Sequence, residues 1–565
     1  MRSPTSEHRR ATAATLISGA VIIIALGGIL RAMSGQGDAA SDMSATAYSP
    51  PLHTAHFDAA TVEATPAELR LVVNDDQRNH HALVLAIHHS IPFLALAATG
   101  RHDLPTLVLV ARGRPYRLDS LVSRYPEVFS RTSLGAVLVH FPILIAPGAT
   151  LIVDAHTTPV VLLRSDASGY ASVTALSSTL DLRGTATQKL RVTSYDPSTS
   201  GPDLTASDGR AYLQTRGGTL TLRATMADHL GFAIGRSSGV AWLGQGTTPA
   251  SGGAAWSTFK NNHFGAYAFA ARGLLITHSA FLDNEVYGFD PHDGTNDSVV
   301  TDSVAARNGR HGFIFSRGCR HNTLRNDEAY DNGVAGFVID DGHVAADGNP
   351  RHAVAVPSEG NALIHISAHD NGIVGVSIEG GAENSLESSQ VDNNKYGVWV
   401  KNAATGTRIT AVTVTRSLAS GVVLYNGTRA THLSAVRITG TAVGVVVDNA
   451  SATVLTDVKV IDATTTGLRL RGPNTDDVIS QVSISGAGRR AVDAGEIAIP
   501  ETLSAGIDDS GWVTRHPRVS AAHYLIRHVN LLAWVPIFVL PLLFWLPARR
   551  RRSSGTPVTS IEQRP

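Results

Sequence analysis

The sequence predicts an all-β solenoid, a parallel β-helix, held outside the cytoplasm by a transmembrane helix at each end. Two observations carry the solenoid. Glycines recur at Gly265, Gly288, Gly312, Gly336, Gly375, Gly397, Gly421, Gly444 and Gly467, spaced by 23, 24, 24, 39, 22, 24, 23 and 23 residues, each followed by an alternating apolar triplet. Asn/Asp/Gly turns such as DNG and DNN punctuate the same stretch, and a fixed period in this range with one strand-like segment per repeat indicates stacked coils. A third observation carries the anchors: an uncharged apolar run near each end of the chain, with arginines beyond both.

The first run, residues 11–30, follows Arg2, Arg9 and Arg10 and is long enough to cross a bilayer. The second, residues 529–547, is followed by Arg549, Arg550, Arg551 and Arg552. The positive-inside rule puts both ends in the cytoplasm and the middle outside. A cleaved signal peptide is the alternative for the first run, since Ala39, Ala40 and Ala45 follow it. The expected organisation is a cytoplasmic segment (1–10), an anchor (11–31), a linker (32–56), a region of unassigned fold (57–139), the β-helix (140–500), a linker (501–528), a second anchor (529–547) and a basic tail (548–565).

Composition agrees with an exported core-forming chain. At 565 residues and 43% hydrophobic it has ample material for a core, and 47 basic against 47 acidic residues give no support for a nucleic-acid partner. The single Cys319 cannot form an internal bridge and has no base indicated beside it, so it reads as a bystander thiol. His80/His81 and His88/His89 flank a strand-like LVLAI run, but no Cys or acidic ligand pattern accompanies them, and they read as surface histidines. No metal or cofactor is expected.

Counting from each glycine, apolar residues fall at +1 and +3, as in Phe313 and Phe315 or Val398 and Val400. Alternation along a strand therefore turns +1 and +3 inward and +2 and +4 to solvent. Equivalent positions in successive coils stack at roughly 4.8 Å. The 39-residue step equals one repeat plus an insertion around His343 to Ser358.

One coil breaks the apolar pattern: Tyr287-Gly288-Phe289-Asp290-Pro291-His292-Asp293. The register turns Asp290 and His292 to one face. The next coil, HGFIFSRG, brings His311 beside Tyr287 and Arg317 above Asp293. An imidazole, acidic groups to orient it, a phenol and a guanidinium suit abstraction of the weakly acidic C5 proton of a uronic acid, with Arg317 neutralising the adjacent carboxylate. Return of a proton to the opposite face gives epimerisation, and loss of the C4 oxygen gives chain cleavage.

YGFDPHD, then HGFIFSR and DNGVAGFVID, resemble the mannuronan C5-epimerases, in particular the periplasmic type of alginate-producing bacteria. The likeness runs from about Asp208 to about Asn402, roughly a third of the chain. It implies a right-handed β-helix whose substrate is an anionic uronate polysaccharide. It further implies that His292 is the base, Arg317 the carboxylate neutraliser, Asp290 and Asp293 the residues that tune the histidine, and Tyr287 a proton donor or acceptor in competition with water. A direct part for His311 is left open. Secreted relatives also use a lysine about one coil upstream, for which Lys260 is the nearest candidate, but carry Gly-Gly-x-Gly-x-Asp calcium repeats that this chain lacks. Tyr267, Asp340, Asp341, Trp399 and Lys401 are candidate substrate contacts. For Tyr396, Trp399 and Lys401 a structural aromatic ladder is the equal alternative. A lyase on the same fold and a non-catalytic glycan-binding β-helix are the rival functions. A polysaccharide synthase or export complex is the candidate protein partner, and the membrane the candidate surface.

Overall fold

The computed structural model describes residues 65–89, 93–95, 104–233, 235–342, 357–473, 475–495 and 505–515. The apolar runs 11–30 and 529–547 lie outside the described residues. Among the described residues no helix is long and apolar enough to cross a membrane.

Each central coil contributes one longer strand and two short ones: Phe289–His292, Val299–Thr301 and Val304–Ala306, then His311–Ser316, Thr323–Arg325 and Glu328–Tyr330. Successive coils pair in parallel, Phe289 opposite Phe313 and Phe313 opposite Phe337. The long step costs no register, since Phe337 lies opposite Val376. Both ends of the insertion meet at one corner: Ser358 N donates to Asp341 Oδ1 at 2.6 Å and Ser358 Oγ to the Asp340 carbonyl at 3.1 Å.

The +1 residues make the core. Phe289, Phe313 and Phe337 are fully buried, and the Phe313 and Phe337 rings stack at 5.3 Å. Phe313→Ala would leave a cavity between two rings, and we expect it to destabilise the fold by about 3–5 kcal/mol. Denaturant titration reads the loss; a change below about 1 kcal/mol would show that the coils collapse around the gap. Buried asparagines seal the turns. Asn284, Asn308, Asn332, Asn371 and Asn394 form a ladder in which each side-chain oxygen accepts the backbone N–H of the preceding member, as from Asn308 N to Asn332 Oδ1 at 3.1 Å. Their amide groups bond in turn to strand carbonyls, so the buried asparagines of this ladder are satisfied internally.

Two expectations change. LVLAI is not a strand: it lies within helix α1 (Pro66–His89), whose Ala82 and Ala86 pack against Val108, Leu144 and Ala146. The signal was present, because Thr65-Pro66-Ala67-Glu68 is a capping box with proline at the first helical position. Thr65 N donates to Glu68 Oε2 at 2.7 Å and Glu68 N to Thr65 Oγ1 at 3.2 Å. His80 and His81 are exposed on this helix. The unassigned stretch also contains the first coil, since Thr106–Leu109 pairs in parallel with Ile143–Ile145. Helix α2 (Leu118–Arg124) buries Leu118 and Leu121 in the solenoid core.

The second change concerns the outward face. The +2 residues Ile314, Val338, Trp399 and Val423 point away from the core yet are at most 5% exposed. Alternation sorts inside from outside, but outside is not solvent here.

Candidate active site

The strand Phe289–His292 positions the site. Phe289 fills the core, Pro291 denies the backbone one ladder donor, and the chain then turns at Asp293, whose φ is +38°. Arg317 occupies the same corner one coil later, at φ +43°. Each of these corners is tied to the coil above: Asp293 N donates to the Ser316 carbonyl at 3.1 Å and Arg317 N to the Asp340 carbonyl at 2.7 Å. Two side chains 24 positions apart are thereby stacked on one edge.

Asp293 joins them. Its Oδ2 accepts a hydrogen bond from Arg317 Nη2 at 3.0 Å and lies 2.9 Å from His292 Nδ1, a close contact whose angle falls short of a hydrogen bond. Imidazole and guanidinium, both against one oxygen, are within the width of a monosaccharide of each other. The His292 side chain is 13% exposed and that of Arg317 40%, so the base is recessed and the cation accessible.

Asp290 is buried at 1% exposure beneath this pair. Burial pushes its carboxyl up to about 7, against the opposing pull of His292. Ser316, stacked on His292 in the next coil, has its hydroxyl 3.5 Å from Asp290 Oδ1. The unfolded chain ionises this carboxyl near 4, so between about pH 4 and 7 it binds fewer protons than the folded one, and the stability contributed by Asp290 falls as pH rises through that window. Asp290→Asn is therefore expected to gain thermal stability relative to the parent from pH 4 to pH 7, with no further change beyond about pH 8. A midpoint difference independent of pH would show that Asp290 does not titrate in that window.

Tyr287 and His311 form a second layer. Their rings stack at 5.1 Å, and Phe264 meets Tyr287 edge-on at 5.1 Å. Burial holds the Tyr287 phenol well above its usual range, so it keeps its proton. His311 is fully buried, which pushes its imidazole down to about 3, with Arg310 adding to the effect. It stays neutral and supports the Tyr287 ring. Tyr267 lies opposite Asp290 in the preceding coil, its ring 5.8 Å from His292. Cys319 is buried under the strand, its Sγ 3.1 Å from the Ser316 carbonyl and its thiol pushed up by burial, so it supplies no thiolate.

The remaining candidates fall at the site's edge or beyond it. Lys260 ends the strand Thr258–Lys260 in the other sheet, with Nζ 3.6 Å from Asp283 Oδ2. Asp340 continues the His292–Ser316 row one coil on and accepts Gly342 N at 2.9 Å, while Asp341 clamps the insertion through Ser358. Lys401, 1% exposed, pairs with Glu379 at 3.0 Å and lies over Trp399 at 5.0 Å. Trp399 packs on Tyr396 at 4.7 Å. Burial thus favours the structural ladder over an open sugar platform. Ser316 and Glu379 fall in the same +4 row as His292, a register the glycine period makes legible. Among the described residues no His, Cys, Asp and Glu cluster is arranged to hold a metal ion.

Residues 255–350 match the family described as a right-handed beta helix region, and residues 345–480 the one described as periplasmic copper-binding protein (NosD). A mannuronan C5-epimerase of Pseudomonas fluorescens is 28% identical over 229 residues, 38% of this chain and 41% of the relative. One of Pseudomonas putida is 26% identical over 301 residues, 51% and 53% respectively. The chain is similar in sequence to the mannuronan C5-epimerases. It spans about half or less of the length of these epimerase relatives. The crystal structure of the periplasmic alginate epimerase AlgG superposes over 67% of this chain and 86% of its own, with a TM-score of 0.50 at 16% identity, which shows the shared fold.

Proposed function

We propose that the chain is a polysaccharide C5-epimerase, acting on mannuronan or an analogous uronan outside the cytoplasm. The observation that carries this reading is the shared contact of His292 and Arg317 with Asp293 Oδ2. A C5 proton is feebly acidic while the neighbouring carboxylate is ionised, so a base needs a cation within one sugar's width. Arg317 supplies it, offering the guanidinium edge not engaged by Asp293 to the carboxylate. With Nδ1 against Asp293, the Nε2 of His292 is left to take the proton. Asp293 holds both groups to one position, which removes the entropy of bringing them together at each turnover. Tyr287, buried and protonated, is the protein's own candidate to return a proton to the other face, with water as its competitor.

The same first step serves a lyase, and the similarity to epimerases favours reprotonation over elimination. Incubation with polymannuronate in deuterated water tests the reading. We expect deuterium at C5 and guluronate signals with chain length unchanged. Unsaturated ends absorbing in the near ultraviolet would identify a lyase, and absence of exchange with every uronan tried would leave a glycan-binding role. Tethering to the membrane through residues 11–31 and 529–547, beside a synthase or export complex, belongs to this proposal and suits modification during secretion.

A further inference from the structure

The path of the Arg317 side chain depends on a residue with no side chain of its own. Gly342 lies in the corner above Arg317, at φ +61°, and a Cβ built there would overlap Cγ and Cδ of Arg317 and approach its Cβ to 3.2 Å. The backbone cannot back away freely, since Gly342 N donates to Asp340 Oδ1 at 2.9 Å and the Asp340 carbonyl accepts Arg317 N at 2.7 Å. The arginine stem would have to give. Side chains occupy discrete staggered wells, so a stem blocked at Cγ moves to another rotamer and carries the guanidinium away by several ångströms.

We propose that Gly342 is a positioning residue for Arg317, leaving open the space through which the stem runs so that the guanidinium meets Asp293 and the substrate carboxylate. This rests on the reading of Arg317 given above. Gly294 provides a matched control: it occupies the equivalent turn beside Asp293, has φ +77°, and has no heavy atom within 4 Å of an added Cβ. Gly294 N donates to the Arg317 carbonyl at 3.2 Å, but a methyl group added at Gly294 carries similar backbone strain without touching the arginine side chain.

The test is a double-mutant cycle read as affinity for a polymannuronate oligosaccharide. Gly342→Ala is expected to weaken binding about tenfold, and Gly294→Ala less than about twofold. In an Arg317→Ala background, Gly342→Ala is expected to change affinity by less than about twofold, because the stem it would displace is gone. Equal losses in both backgrounds, or equal losses for Gly342→Ala and Gly294→Ala, would overturn the proposal while leaving Arg317 in its role. Unchanged affinity in Arg317→Ala itself would overturn the reading of Arg317, and the positioning role with it. Should Gly342→Ala prove too unstable to assay, the cycle is read as thermal midpoints. The double variant is then expected to melt above the Gly342→Ala single, and a double that melts no higher would overturn the proposal.

Discussion

His292→Asn is expected to lower C5 exchange on polymannuronate by about 10²–10⁴-fold while leaving glycan affinity within about threefold. Asparagine keeps the size and one polar contact of the imidazole but cannot accept a proton near neutral pH. The His292 side chain is recessed and Arg317 remains beside Asp293, so the surface offered to a polymer is nearly unchanged. Deuterium incorporation and equilibrium binding, measured on the same preparation, separate the two effects. A variant that exchanges at the parent rate would remove His292 as the base, and one that loses affinity in proportion would make His292 a substrate-binding residue instead.

Arg317→Ala should reduce turnover by about 10²–10³-fold, the usual cost of removing one preorganised stabiliser of developing negative charge. Unlike His292→Asn it should also weaken binding, because the carboxylate it neutralises is present in the ground state as well. Arg317→Lys is informative beside it. Lysine is a point charge on a flexible stem and cannot present parallel N–H groups to a carboxylate while holding Asp293 with another. We expect Arg317→Lys to recover most of the affinity and little of the rate. Full recovery of rate by lysine would mean that charge alone suffices and that the fixed geometry at Asp293 is incidental.

Because the glycine period and the +1/+3 alternation stack equivalent positions, Phe289, Phe313 and Phe337 could be placed in one core column without coordinates. For the same reason His292, Asp293 and Arg317 could be placed on one edge: in a solenoid, sequence offset and spatial neighbourhood are nearly the same thing. The capping box at Thr65 and the apolar +2 column at Ile314, Val338, Trp399 and Val423 were equally legible. The first was obscured by a short apolar run that reads as strand or helix alike, the second by an assumption that outward means wet.

What the sequence by itself determined is the coil, its inward column and the identity of the groups at the break in the pattern. Tertiary structure alone decided the surroundings of those groups. Burial makes His311 a neutral support and Asp290 a carboxyl that titrates near 7, and it draws Lys401 onto Glu379. It also sets the Arg317 stem against Gly342. The physical reason is that period and parity fix which residues are neighbours, whereas ionisation and rotamer depend on what surrounds each side chain in three dimensions, and that surrounding is supplied by other coils.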